Sequence, residues 1–255
     1  LVIPDIARAY AAWRLIEPIQ RAATARAVPI NSGAGEEDEA ELHPEELPLP
    51  DDVPLLEGRA LTFRYRAGGR AILSGCNLAI YYGDRLLLEG PSGGGKSTLA
   101  SLLIGLYAPE SGLLLLRGLD RHTVNEQLWR QRVVAAPQFH ENHVLNASLA
   151  FNLLMGRQWP ARQADLDEAE TICRELGLGP LLDRMPLGIH QLVGEQGWRL
   201  SHGERSRIYI ARALLQNADL VILDESFASL DPENMQIALE CELKRAATLL
   251  VIAHP

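Results

Sequence analysis

A stretch long enough to cross a membrane is the first thing this sequence lacks. Its longest run without a charged residue is 142–156, fifteen residues that include Asn142, His143, Asn146 and Asn152. A spanning helix needs about 20 consecutive, mostly apolar residues, so no segment reads as one. Cysteine is scarce as well. Cys76, Cys173 and Cys241 are odd in number and far apart, which excludes a disulfide framework and a metal-ligand spacing and fits a reducing compartment. A basic surplus is also missing: 24 Lys and Arg against 33 Asp and Glu give a net charge of −9, and nothing in that balance advertises nucleic acid. Lysine itself is nearly absent, with only Lys96 and Lys244 among the 24 basic residues.

What is present is ordinary for a globular protein: 47% hydrophobic and 22% charged residues. A length of 255 residues suits one large domain, or one domain with an appendage. The negative charge is concentrated. Residues 36–52 hold nine acids and no Lys or Arg, so this stretch carries the whole net charge. With Gly33, Gly35, Pro44, Pro48, Pro50 and Pro54 around it, the segment 30–54 reads as an acidic, proline-rich linker. Before it, Ile3, Ile6, Tyr10 and Trp13 recur at helical spacing, so 1–29 reads as a helix, interrupted near Pro18. The chain opens on Leu1 and stops inside an apolar run at Pro255, as a piece excised from a longer protein would.

From Leu55 onward strands and helices alternate, which indicates α/β architecture with a mainly parallel sheet. Leu61, Phe63 and Tyr65 alternate with Thr62 and Arg64 as in a half-buried strand, and Gly68-Gly69 marks a turn. Further strands are expected over Ile72–Tyr82, Arg85–Leu88, Leu113–Leu116, Val133–Ala136, Leu220–Leu223 and Thr248–Ile252. Helices are expected from Lys96 to about Leu106, over 165–176, from Ser201 to about Leu215, and from Pro232 to Arg245.

One motif carries chemistry by itself. Gly90-Pro91-Ser92-Gly93-Gly94-Gly95-Lys96-Ser97, followed by Thr98, matches G-x-x-x-x-G-K-[ST] between an apolar strand and an apolar helix. Glycines let backbone N–H groups converge on phosphate oxygens with no Cβ in the way, and the helix N-terminus adds positive partial charge. Lys96 is placed to reach the β- and γ-phosphates and Ser97 to ligate Mg²⁺. A sequence that otherwise uses arginine almost everywhere has lysine here. Downstream, the apolar run Leu220–Leu223 ends in Asp224-Glu225, where a parallel sheet presents its ligand edge. Asp224 is placed to hold Mg²⁺ through water, and Glu225 to polarise an attacking water. Between the two lies Leu200-Ser201-His202-Gly203-Glu204, locally a capping box with Ser201 as N-cap and Glu204 at the third helical position.

Together the phosphate loop, Leu200–Glu204, and Leu220–Glu225 followed by Ser229-Leu230-Asp231 resemble the nucleotide-binding domain of ATP-binding cassette (ABC) proteins, over about 55–255. The five-residue family signature is usually L-S-G-G-Q; His202 and Glu204 replace its second Gly and its Gln. The resemblance implies a P-loop NTPase core with a mainly parallel sheet, an N-terminal antiparallel β part, an inserted helical subdomain at about 139–216, and a C-terminal end that is truncated. It also implies a Mg-dependent ATPase. By the same resemblance Tyr65 stacks on adenine, with a plain sheet-face aromatic as the alternative. Gln138 touches Mg²⁺ and the attacking water, Asp231 works across a dimer, and His254 contacts the γ-phosphate. Leu200, Ser201, His202, Gly203 and Glu204 close over nucleotide bound to a second such domain.

Val193-Gly194-Glu195-Gln196-Gly197 is similar to the segment with core V-G-E-x-G found in ABC exporters, and 1–29 resembles the tail of an exporter's last membrane helix. The implied partners are a second nucleotide-binding domain and a transmembrane domain in the same parent chain, at the cytoplasmic face of a membrane. Soluble ABC ATPases of DNA repair or translation fit less well: there is no long heptad run between Gln138 and Ser201, and the chain holds one cassette. A small-molecule kinase would share the phosphate loop but leaves Leu200–Glu204 unexplained.

Overall fold

The computed structural model describes residues 53–121, 123–136 and 143–253. The expected helix 1–29, the acidic linker apart from its last two residues, Gln138 and His254 lie outside the described residues. In chain order the elements are β1 (Leu56–Phe63), β2 (Leu73–Ile80), β3 (Arg85–Glu89), α1 (Lys96–Leu103), β4 (Ser111–Leu116), β5 (Leu119–Asp120), α2 (Glu126–Arg132) and β6 (Val133–Ala136). There follow β7 (Ala147–Ser148), α3 (Leu149–Leu153), α4 (Gln163–Glu175), α5 (Gly179–Arg184), a 3₁₀ turn at Gly188–His190 and β8 (Leu192–Val193). The chain then runs through α6 (His202–Leu214), β9 (Leu220–Asp224), α7 (Pro232–Arg245) and β10 (Leu249–Ala253).

Two main sheets result. One is antiparallel, in the order β2-β1-β4-β5; the other is parallel, in the order β3-β10-β9-β6. Parallel strands are normally covered on both faces, and here the alternation of side chains divides them between two cores. Val221, Leu223 and Leu249 join the helical segments α3–α7, while Leu220, Ile222, Leu250 and Ile252 pack against the antiparallel sheet, α1 and Trp129. Each such buried aliphatic side chain contributes roughly 1.5–3 kcal/mol relative to exposure. Between β6 and β9 the chain is mainly helical, with one two-stranded ribbon of β7 and β8.

Two details depart from the sequence reading. The first strand does not reach Tyr65. It ends at Phe63 because the turn at Gly68-Gly69, closed by the Gly69 N–H on the Arg66 carbonyl at 3.0 Å, lifts the intervening residues off the sheet. Nor does its alternation run unbroken. Register shifts between Gly58 and Leu61, with Ala60 at φ +51°, mark a β-bulge. The extra residue changes which side chains face the core, so Leu56 and Gly58 are buried before it and Leu61 and Phe63 after it. The helix after the phosphate loop stops at Leu103 rather than Leu106, because Gly105 turns left-handed at φ +76°. Trp129 lies against that glycine and donates its indole N–H to the Leu103 carbonyl at 2.8 Å.

Candidate functional site

The parallel sheet brings the loop and the acids to one edge. Ala253 of β10 pairs with Glu89 at the end of β3, and Ile252 pairs with Asp224 at the end of β9. Gly90, which follows Glu89, therefore starts on the same edge as Asp224 and Glu225. Such carboxyl-end edges are where open α/β sheets receive ligands.

The phosphate loop is shaped by its glycines. Gly93 and Gly95 sit at φ +74° and +88°, a region that other residues enter only with strain. A Cβ on Gly95 would also stand 3.1 Å from Ile72 Cγ2. As N-cap, Gly95 gives α1 no side-chain cap, and the first turn holds no acid. Among the described residues no side chain therefore competes for this helix end, which carries positive partial charge. Lys96 is only 8% exposed, and its ammonium donates to the Gly90 carbonyl at 2.7 Å and the Pro91 carbonyl at 3.1 Å. The loop curls around its one cation. This arrangement fits a polyphosphate: a helix end with no side-chain cap, a fixed positive charge and no competing carboxylate in the first turn.

Tyr65 stands beside the loop and half-exposed, off the sheet. Its hydroxyl shares a 3.0 Å hydrogen bond with Thr98 Oγ1, and its ring meets Phe63 and Tyr107 edge-on, at centroid distances of 5.1 and 5.6 Å. The sequence did not single out Tyr107. The two T-shaped contacts use ring edges and fix the orientation of Tyr65.

Asp224 is 4% exposed at the end of β9. Glu225 follows at φ +50°, a conformation that costs a non-glycine residue about 1–3 kcal/mol and gathers at functional sites. Its N–H donates to the Ile252 carbonyl at 3.1 Å. The next residue was missed by sequence reasoning. Buried Ser226 donates its hydroxyl to the Ala136 carbonyl at 3.0 Å, tying the exit of β9 to the exit of β6, two residues before Gln138. A lone serine after Asp-Glu carries no signal for this. Among the described residues no group of three His, Cys, Asp or Glu side chains is placed to hold a metal. A hydroxyl, one carboxylate acting through water, and phosphate oxygens are a donor set that Mg²⁺ accepts, and the residue types of Ser97 and Asp224 fit the protein's part of such a set.

A second constellation forms where α6 begins. Ser201 and Glu204 cap reciprocally: the Glu204 N–H donates to Ser201 Oγ at 3.2 Å, and the Ser201 N–H donates to Glu204 Oε2 at 2.7 Å. Arg184 donates to Glu204 Oε1 at 2.8 Å. Arg207, 9% exposed, donates to the Gly203 carbonyl at 3.3 Å and to Asn234 Oδ1 at 2.6 Å. Burial pulls its guanidinium pKa down, against the opposing pull of Glu204 and Asp231. Asn234 in turn donates to both oxygens of Asp231, at 3.0 Å from its backbone and 2.6 Å from its side chain. Its backbone and side-chain donors hold that carboxyl below the usual carboxylate range. Ser206 and Ser229 share a 2.6 Å hydrogen bond. Leu200–Glu204 and Ser229–Asp231 are therefore locked together. Of these linking residues only Asn234 had a sequence signal, three positions after the N-cap Asp231.

Residues 73–228 match the family described as ABC transporter. The chain belongs to the ABC transporter family. Its ATPase cassette is 37% identical over 216 residues to an ATP-dependent lipid A-core flippase of Chromobacterium violaceum, covering 80% of this chain and 36% of the flippase. It is 35% identical over 208 residues to the alpha-hemolysin translocation ATP-binding protein HlyB of Escherichia coli O157:H7, covering 81% and 29%. It is 34% identical over 204 residues to the mycobactin import ATP-binding/permease protein IrtB of Mycolicibacterium thermoresistibile, covering 79% and 34%. Among solved structures, a bacterial Atm1-family ABC exporter with ATP bound superposes with a TM-score of 0.71 at 28% identity, over 93% of this chain and 40% of that one. The chain spans about a third of the length of the curated relatives it matches.

Proposed function

We propose that this chain is the ATP-binding and ATP-hydrolysing domain of an exporter-type ABC protein, which powers transport when two such domains close over ATP. The observation that carries this reading is the shared sheet edge, with Lys96 folded into its loop on one strand and Asp224-Glu225 ending the strand two places away. The glycine-lined loop Gly90–Gly95, Lys96, Ser97 and Thr98 bind the phosphates, and Tyr65, more than half exposed beside the loop, stacks on adenine. Ser97, Gln138 and Asp224 hold Mg²⁺, which neutralises charge on the phosphates when bound. Glu225 takes a proton from the attacking water, oriented by Gln138, and His254 senses the γ-phosphate.

Leu200, Ser201, His202, Gly203 and Glu204 face the nucleotide of a second domain, and Asp231 reaches across the same interface. The hydrogen bonds between Ser206 and Ser229 and through Arg207 support that pairing, since they make the signature and Asp231 move as one body.

The membrane partner is read from Val193–Gly197. This segment forms a tight turn, with the Gly197 N–H on the Gly194 carbonyl at 3.3 Å and the Gln196 N–H on Asn146 Oδ1 at 3.2 Å. Beside it lies a cleft of about 520 Å³ lined by Glu195, Arg199, Arg205 and Tyr209, among others. We assign this surface to a transmembrane domain in the parent chain, which places the cassette at the cytoplasmic face of a membrane. The relatives are named for cargoes as unlike as a lipid, a hemolysin and a mycobactin. That spread supports reading cargo choice as a property of a membrane part rather than of the cassette. Light scattering tests the two-domain mechanism: Glu225→Gln should bind Mg-ATP, stall, and accumulate as a dimer. A monomer at saturating Mg-ATP would overturn it.

A further inference from the structure

We propose that Arg184 is a positioning residue for ATP-driven pairing: it holds the Glu204 carboxylate against its own helix and neutralises it, so that the signature end can receive another domain's γ-phosphate. This rests on the two-domain reading above. The need arises from a substitution in this chain. The signature usually ends in a neutral Gln, whereas here it ends in Glu204, and an ionised carboxylate beside an incoming polyphosphate opposes closure.

The geometry supplies an answer on both oxygens. Glu204 Oε2 accepts the Ser201 N–H at 2.7 Å, and Oε1 accepts the Arg184 guanidinium at 2.8 Å. Arg184 is steadied by a second bond, from its Nε to the Pro180 carbonyl at 3.2 Å. The Glu204 side chain is 14% exposed and that of Arg184 62%, so the arginine reaches across the surface to cover an acid tucked beside the helix end. The capping box alone would fix one oxygen and leave the carboxylate with no direct ion pair, only the longer-range attraction of Arg207. Arg184 lies on α5, twenty residues earlier in the chain, so it has no part in the signature motif itself. Its partner is not replaceable by the capping serine, which is neutral.

The test is a cycle of variants in the stalled Glu225→Gln chain, with the dimer dissociation constant in saturating Mg-ATP read by sedimentation. Arg184→Ala should weaken pairing about fivefold per site, the size of one partly screened charge repulsion at a protein surface, and so about 25-fold in the dissociation constant of a dimer with two such sites. Adding Glu204→Gln to Arg184→Ala should restore pairing to the starting value, and Arg184→Lys should largely retain it. The defect of Arg184→Ala should shrink as salt is raised. Mg-ATP affinity of the dilute single domain, read by calorimetry, should be the same throughout. Equal weakening with and without Glu204→Gln would show that Arg184 supports the fold or touches nucleotide itself, and would overturn the proposal. So would unchanged pairing in Arg184→Ala. Failure of the Glu225→Gln chain itself to pair in Mg-ATP would overturn the two-domain reading and this inference with it, a result distinct from either of the others.

Discussion

Two helix N-termini in this molecule carry opposite solutions to the same problem. An α-helix begins with N–H groups that lack intrahelical acceptors. At α1 the cap is Gly95, left-handed, with no side-chain bond and no acid in the first turn. At α6 the cap is Ser201, closed reciprocally by Glu204, whose second oxygen is held by Arg184. The first end is open in the sense that no side chain caps it, and a buried lysine adds charge. The second is capped from within its own domain. An open end suits a ligand bound by one domain alone. A capped end suits a surface that waits for a partner and must stay ordered meanwhile. Asp231 follows the second pattern, capping α7 through Asn234.

This contrast can be broken from several sides. The largest effect is expected next to the open end. Glu225→Gln removes the proposed base, and turnover should fall by about 10²- to 10⁴-fold while Mg-ATP binding persists, as steady-state rates and calorimetry would show. Next is Lys96→Ala, which deletes the one cation inside the loop. Its ATP affinity should fall about a hundredfold, the loss of charge-assisted hydrogen bonds, with the circular dichroism spectrum unchanged. Undiminished affinity would show that the open end does not hold the phosphates.

A third variant probes neither end and serves as a control for stability. Glu242, on the buried face of α7, is wholly inaccessible, and neither carboxylate oxygen has a hydrogen-bond partner among the described residues. Burial pushes its carboxyl up to about 9. A carboxyl raised in the folded state is protonated there while the unfolded chain is ionised, so stability falls as pH rises from about 4.5 to about 9. Glu242→Leu should therefore stabilise the domain by about 1–3 kcal/mol at neutral pH, with the gain increasing toward pH 9 in denaturant titrations. A gain independent of pH would place the carboxyl in water. The smallest effect is expected at the capped end: Ser201→Ala should cost about 1 kcal/mol of stability and leave single-domain ATP binding intact, whereas a loss of that binding would erase the distinction between the two ends.

The α/β class, the phosphate loop and the acids after Leu223 were legible from residues alone. These signals are local: a glycine spacing, an apolar run that ends in carboxylates, a serine three residues before a glutamate. The capping box at Ser201 was read from four consecutive positions and is present with both of its bonds. Helix α7 begins and ends where Pro232 and Arg245 indicated. Short elements such as α2, α3 and β7 escaped, because fewer than eight residues hold too little periodicity to read.

Tyr65 shows the limit of periodicity more sharply. Its place in the alternation was read correctly as far as Phe63, but the turn that lifts it off the sheet is closed by a backbone bond that no residue pattern announces. The bulge at Ala60 is of the same kind, since what it changes is register against two neighbouring strands at once.

By itself, then, the sequence determined which chemistry the chain carries: residue types and spacings within a turn or two of one another specify a loop, a cap and a strand end. Only the tertiary structure decided how these are aimed. Strand pairing put Gly90 and Asp224 on one edge, Ser226 reached ninety positions back to Ala136, and Arg184 closed on Glu204 from another helix. Such contacts depend on which distant segments pack together. Packing is set by the sum of many weak apolar contacts over the whole core, and no local pattern encodes that sum.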